Sequence, residues 1–318
     1  MQEKILARLK NNQGFVSGEE ISGSLKISRQ ALWKHIQDLK DAGYDIIAVP
    51  HLGYRLASSP DRLYPYELRY GLDTGYIGKN ILYLDSVAST MDAALQAGIE
   101  GASEGTAVVA EAQTKGRGRL GRQWSSPKYK GIYMSLILRP DLPPLYTPVL
   151  TLLVAVGVCR AIKEVTGLDA KIKWPNDIFL NNKKLGGILT ELNAEMDVTR
   201  FVVAGLGLNV NNDGKSLPPG ATSLYEHSGA HVSRSELLRE IFRRIEEDYG
   251  RLQRSGSADV IDQWRTYSTT LGRRVRIVSS RQHMEGEAVD VDLDGALLLR
   301  LDSGVHTKVT SGDIVHCR

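Results

Sequence analysis

Cysteine is scarce: there are two, Cys159 and Cys317, in 318 residues. Neither has metal-ligand spacing or a neighbourhood that looks nucleophilic, so zinc sites, a disulfide framework and thiol catalysis are set aside, and no metal site is assigned. Long apolar runs are also missing. The longest, Val149 to Ala161, falls short of a membrane span and reads as a buried helix, so no membrane partner is expected. The start, Met1-Gln2-Glu3-Lys4, has no signal-peptide core, which leads us to expect a cytoplasmic protein. Charge of one sign is not in excess. The formal net charge is +3, so any nucleic-acid function must come from a local surface. No Gly-Lys-Ser/Thr ends the basic stretch Thr114–Trp124, and its Gly116-x-Gly118-x-x-Gly121 carries arginines where a dinucleotide turn needs small residues.

What is present is apolar content of 42% over a length that suits two or three domains. Residues 1–62 read as a winged helix-turn-helix. Ile5, Leu6 and Leu9 mark a first helix, and Ser17 with Glu20 opens a second as a capping box. Ser28 caps a third helix to about Lys40, with Leu32, Ile36 and Leu39 inward. Strands over Tyr44–Val49 and Gly53–Leu56 flank a turn and form the wing. Ser28, Arg29, Gln30 and Lys34 lie near the third helix's start, where base edges are read. About two net positive charges in this segment imply modest, salt-sensitive binding; a three-helix domain without a DNA role is the bland alternative.

Residues 63–267 mix helices and strands without a regular βαβ repeat, so a mixed sheet is expected. Strands are read at 81–84, 107–110, 131–138, 170–173, 178–180, 187–192 and 201–209. Helices are read at 89–98, 148–165 and from Ser233 onward. Residues 268–318 change texture. Val275 and Ile277, then Val289, Val291 and Leu293, alternate; Asp294-Gly295 turns the chain into Leu297, Leu299 and Leu301, the pattern of a small β-barrel.

The chemistry centres on Thr114–Trp124, with three glycines, three arginines, a lysine and a tryptophan and no acid. Glycines let backbone N–H groups approach a ligand, arginines offer forked donors, and tryptophan is a flat apolar wall. Such a loop suits a ligand with an anionic part and an apolar part; a solvated basic loop is the plain alternative. Ser89-Thr90 at a helix start, Lys173-Trp174-Pro175-Asn176-Asp177 and Lys183-Lys184-Leu185-Gly186-Gly187 could join it, or be an N-cap, a turn and a hairpin tip.

Together, Gly116-Arg117-Gly118-Arg119-x-Gly121-Arg122-x-Trp124, Lys173–Asp177, Lys184–Gly187 and Gly205-x-Gly207-x-Asn209 resemble the biotin protein ligases. More closely, they resemble the class that doubles as biotin operon repressor. The likeness spans almost the whole chain and implies an α+β protein: winged helix, central mixed-sheet ligase domain, and C-terminal SH3-like barrel. It implies that biotin and ATP, with Mg2+, give biotinyl-5′-AMP and pyrophosphate. A specific lysine of biotin carboxyl carrier protein then takes the biotin.

By the same resemblance, Ser89, Thr90, Gln113 and Gly116 hold the ureido ring, Met91 is a further substrate-binding position, and Trp124, Gly186 and Gly187 flank the ring and tail. Arg117, Gly118, Arg119 and Arg122 order the loop over the phosphate, and Asn209 lines the nucleotide side. Lys184, Asp177, Arg119 and Lys173 are the implied catalytic set. Biotinyl-5′-AMP is the implied co-repressor, acting through a homodimer on operator DNA of biotin genes. Met91 stands where the family often has asparagine, and 220–224 has no tryptophan. Rival readings are a lipoate-type ligase, a biotin sensor without catalysis, and a ligase whose winged helix no longer regulates transcription.

Overall fold

The computed structural model describes residues 1–278 and 283–316. Cys317 lies outside them. The chain divides into two compact units, 1–62 and 63–318.

The first unit holds α1 (Gln2–Lys10), α2 (Gly18–Leu25), α3 (Arg29–Asp41) and the antiparallel pair β1 (Asp45–Val49) and β2 (Gly53–Ser58). Ser17 accepts the Glu20 amide at 3.0 Å and Ser28 the Ala31 amide at 3.1 Å, so both serines stop fraying where the periodicity starts. Between the helices Lys26 takes a left-handed conformation at φ 53°. Ile5, Ile21, Leu32, Ile36 and Leu39 are buried, as their spacing predicts. Val16 exchanges backbone bonds with Tyr54 at 2.8 and 2.9 Å, tying the wing to the helices. Gly53 is required there: φ is +109° and a Cβ would stand 2.1 Å from the Val16 carbonyl oxygen.

The second unit is built on a seven-stranded mixed sheet. Its strands are β3 (Ile81–Leu84), β4 (Ala107–Ala110), β5 (Gly131–Leu138), β6 (Lys171–Lys173), β7 (Asp177–Leu180), β8 (Lys183–Glu195) and β9 (Val198–Asn209). They lie in the order β3-β4-β5-β9-β8-β7-β6, and only β3–β4 is parallel. Helices α4 (Pro65–Arg69), α5 (Thr90–Ile99), α6 (Pro148–Thr166), α7 (Leu224–Ser228), α8 (Arg234–Ser255) and α9 (Ala258–Tyr267) complete it. One face of the sheet packs on α6 and α8, and α6 is apolar nearly all round because it is the buried core helix. The opposite face is covered in part by α5, through Met91 and Ala94 against Val108, Ile137, Phe201 and Val203.

The last strands, β10 (Arg274–Val278), β11 (His283–Val291), β12 (Leu297–Arg300), β13 (His306–Val309) and β14 (Asp313–His316), form an antiparallel sheet ordered β13-β12-β11-β10-β14. Its inward residues Val275, Ile277, Leu297 and Leu299 belong to the same apolar core as the central sheet. Trp174 fastens the two: its indole donates to the Gly295 carbonyl at 3.1 Å, and its amide to Thr270 Oγ1 at 3.0 Å.

Several readings need correction. β8 and β9 extend beyond the expected 187–192 and 201–209, because their polar outer residues continue the ladder to the tight turn. A register shift between Ala288 and Asp290 turns Ala288 inward, so the expected alternation of Val289, Val291 and Leu293 fails, and Leu293 is exposed. Helices α4, α7 and α9 went unread.

Candidate active site

Four neighbouring strands put Asp177, Gly187, Gly207 and Tyr133 in one cross-strand row. The next row along the same face holds Leu189, Gly205 and Ser135. Because three of these positions are glycine, the sheet face is bare and two larger side chains lie on it. A Cβ on Gly207 would stand 2.5 Å from the Trp124 indole nitrogen, and one on Gly205 would stand 2.8 Å from Met91 Cε. The outcome is a cavity of about 270 Å3 floored by glycine and walled by Trp124 and Met91.

At one end hydrogen bonds are tightly organised. Ser89 caps α5 by accepting the Asp92 amide at 3.5 Å. Gln113 Oε1 accepts from the Thr90 amide at 2.8 Å and from Thr90 Oγ1 at 3.1 Å. Ser135 Oγ donates to Thr90 Oγ1 at 2.9 Å, and Gln113 Nε2 donates to Ser126 Oγ at 2.9 Å. Each bond fixes a rotor, so donors and acceptors are in place before any ligand arrives.

Cations gather at the other end. Lys184, on β8, meets Asp177, on β7, at 2.6 Å, and its ammonium stands 5.8 Å from the Trp124 ring centre. Lys173 lies over the Phe179 ring, and burial pulls its ammonium below its ordinary range, partly offset by Asp177. The segment 217–221 closes this side by backbone pairing. Lys184 donates to the Gly220 carbonyl, Thr222 donates to the Lys184 carbonyl, and Asn209 Nδ2 donates to the Thr222 carbonyl at 3.0 Å.

The basic loop is a folded hairpin. The Trp124 amide donates to the Gly116 carbonyl at 2.8 Å and the Gly118 amide to the Arg122 carbonyl at 2.7 Å. A 3-10 turn at Arg119–Gly121 reverses it, with Leu120 at φ 56° and Gly121 at φ 73°. Each arginine meets an acid or a carbonyl from another element. Arg117 pairs with Asp92 at 2.5 Å and Glu191 at 3.1 Å. Arg119 donates to Asn176 Oδ1 at 3.0 Å and the Gly312 carbonyl at 3.3 Å, and Arg122 pairs with Asp313. Burial lowers the pKa of Arg119, with Asp177 opposing.

Of the residues singled out in the sequence, Ser89, Thr90, Met91, Gln113, Arg117, Gly118, Arg119, Arg122, Trp124, Asp177, Lys184, Gly187 and Asn209 line this cavity. Gly116, Gly186 and Lys173 are absent from its wall. The two glycines matter for packing: a Cβ on Gly116 would stand 2.5 Å from the Trp124 carbonyl oxygen, and one on Gly186 2.9 Å from that of Gly207. Sequence reasoning missed Ser135, Asp313 and 217–219 as lining, and gave Asn176, though named within its motif, no role. Ser135 had a signal, the one aliphatic hydroxyl in the run 132–138. Asp313 had none, being nearly two hundred residues from the loop it meets. In the first unit, Ser28, Arg29, Gln30 and Lys34 are all exposed, and Arg29 pairs with Glu19 at 3.1 Å.

A winged helix ahead of a glycine-floored, ligand-sized pocket with a cationic rim defines a class of ligand-activating enzymes joined to a DNA-binding unit. Family models for the helix-turn-helix domain, the biotin/lipoate A/B protein ligase family and the biotin protein ligase C-terminal domain match residues 1–55, 83–209 and 270–317. The bifunctional ligase/repressor BirA of Bacillus subtilis is 41% identical over 94% of this chain and 93% of its own, and that of Escherichia coli 30% identical over 94% and 92%. The biotin protein ligase of Aquifex aeolicus, solved with biotin and ATP, superposes with a TM-score of 0.64 at 31% identity, covering 76% of this chain and 99% of that one. The chain belongs to the biotin protein ligase family.

Proposed function

We propose that this chain joins biotin to a lysine of biotin carboxyl carrier protein at the expense of ATP, and represses biotin genes in response to the intermediate it makes. The observation that carries the reading is the pocket's polarity. A rigid hydrogen-bonding slot at Thr90, Gln113 and Ser135 and a cationic rim at Lys184 and Arg119 are joined by an apolar trough under Trp124. Biotin has that order of groups: an uncharged ureido ring, an apolar tail and a carboxylate.

In the first step a carboxylate oxygen bonds to the α-phosphorus of ATP and pyrophosphate leaves, giving biotinyl-5′-AMP. Negative charge grows on the phosphoryl oxygens, and fixed cations lower that barrier. Lys184 supplies the nearest point charge, held by Asp177. Arg117, Arg119 and Arg122 are proposed to exchange their carboxylate and carbonyl partners for ligand phosphate as the hairpin closes. In the second step the acceptor amine bonds to the acyl carbon, AMP leaves and the amine gives up a proton; Asp177, 2.6 Å from the Lys184 ammonium, is proposed to take that proton or orient the amine. Magnesium fits only as the nucleotide's counter-ion. Among the described residues no three His, Cys, Asp or Glu side chains gather, and the nearby carboxylates Asp177 and Asp313 are already paired with Lys184 and Arg122. No step is assigned to a protein-held metal.

For repression, the exposed start of α3 would enter operator DNA. A homodimer would present two such helices, and the exposed apolar residues Leu192, Met196 and Val198 at the tip of the β8–β9 hairpin suit contact with a second copy. Biotinyl-5′-AMP, ordering the loop and the 217–221 segment, is the proposed co-repressor. The test of the enzyme supplies labelled biotin or labelled lipoate, ATP and an acceptor domain. Transfer of biotin alone is expected; transfer of lipoate alone would replace this reading with the lipoate-type one.

A further inference from the structure

Trp33 sits on the flank of α3, beside the buried stripe of Leu32, Ile36 and Leu39, and it is 58% exposed. Indole carries a large apolar surface, and leaving most of it in water on an otherwise polar helix face forgoes stabilisation that burial would give. Its neighbours on that face are Arg29, one helical turn before it, with Gln30 and Lys34, all exposed. Charge along the unit is uneven. Lys26, just before α3, and Arg29 and Lys34 in its first half are cations, whereas Asp38, Asp41 and Asp45 outnumber Lys40 at its far end and beyond. Trp33 therefore lies in the half compatible with phosphates. An acid close by, Glu19, pairs with Arg29 across two side chains exposed at 82% and 75%. Such a pair is weak, so Arg29 is released to a phosphate at small cost.

An indole cannot form the bidentate pairs by which charged and amide side chains read bases. What the major groove offers an apolar side chain is the 5-methyl group of thymine. We infer that Trp33 is a specificity-determining residue of the DNA-binding unit and packs against thymine methyl groups in the operator. The inference rests on the proposed DNA binding and says what that surface selects.

The test uses the full-length chain with biotin and ATP. Duplexes are selected from a random-sequence pool, then resynthesised with deoxyuridine in place of thymidine, which removes only the methyl groups. Wild type should lose about fourfold in affinity per methyl contacted, and about fifteenfold where two half-sites each supply one. Trp33→Ala should bind both forms equally and select sequences without the thymine preference, while Trp33→Phe keeps part of it. Circular dichroism checks that the variants fold. Equal binding of both forms by wild type, or the same loss in Trp33→Ala as in wild type, would overturn the role of Trp33 and leave DNA binding standing. Failure of wild type to enrich any duplex would remove the DNA reading itself, and this inference with it.

Discussion

Lys184 is the residue on which the proposed chemistry turns. Its ammonium lies between the Asp177 carboxylate and the Trp124 ring, at the cationic end of the pocket. Removing it takes away a charge that matters most as phosphoryl charge develops. Lys184→Ala should therefore slow adenylate formation by about 10²-fold or more while biotin binding changes little. Pyrophosphate release at saturating biotin and ATP measures this, and a near-normal rate would refute the role. Gly207 makes the complementary case for shape. A Cβ there would meet the Trp124 indole at 2.5 Å against a rigid strand, so Gly207→Ala should displace the tryptophan and weaken biotin binding, read by calorimetry, with the fold intact. Unchanged affinity would count against Trp124 as a wall. Residues of this kind were legible because they sit in short motifs rich in glycine and charge. Ser135 and Asp313 were not, since their partners are brought to them only by sheet pairing and by the packing of the last strand.

At the scale of elements, the basic hairpin and the Glu111–Arg234 pair carry separate tasks. Arg119 links the hairpin to Asn176 on one side and the Gly312 carbonyl on the other. Arg119→Gly should leave an active enzyme that releases its adenylate, labelling bystander proteins in a biotin blot. Labelling no greater than wild type would argue against a closing role. Glu111 and Arg234 are fully buried and 2.7 Å apart; Glu111 also accepts the Leu63 amide, and Arg234 donates to the Gly131 carbonyl. Arg234→Ala strands a buried carboxylate and should cost about 3–5 kcal/mol of stability in denaturant titration. A loss under about 1 kcal/mol would mean that the carboxylate finds other partners. Periodicity and capping serines foretold most elements here, since both depend on near neighbours. The reversal of faces in β11 was hidden because a bulge is set by the strand opposite, and the long β8 and β9 because their outer residues are polar.

For the whole molecule, the proposed function divides the labour between two compact units, one to read DNA and the other to make the signal. A single winged helix with about two net positive charges binds an operator weakly, and pairing two through a symmetric dimer raises the effective concentration and demands inverted half-sites. On the proposed reading, ligand bound in the second unit acts on DNA by favouring a dimer-competent state, so dimerisation and operator affinity should rise together. Arg29→Ala or Lys34→Ala should abolish operator binding and spare ligation, checked by gel shift and by acceptor labelling. Loss of both activities together would contradict that division. The decisive measurement is a footprint on DNA upstream of biotin genes, made beside sedimentation equilibrium, with and without biotin and ATP. Both dimer and footprint should strengthen with biotin and ATP in wild type, and in Lys184→Ala the footprint should develop about 10²-fold more slowly, as its adenylate does. Dimerisation and footprinting that ignore the adenylate would leave a ligase that merely carries a DNA-binding domain.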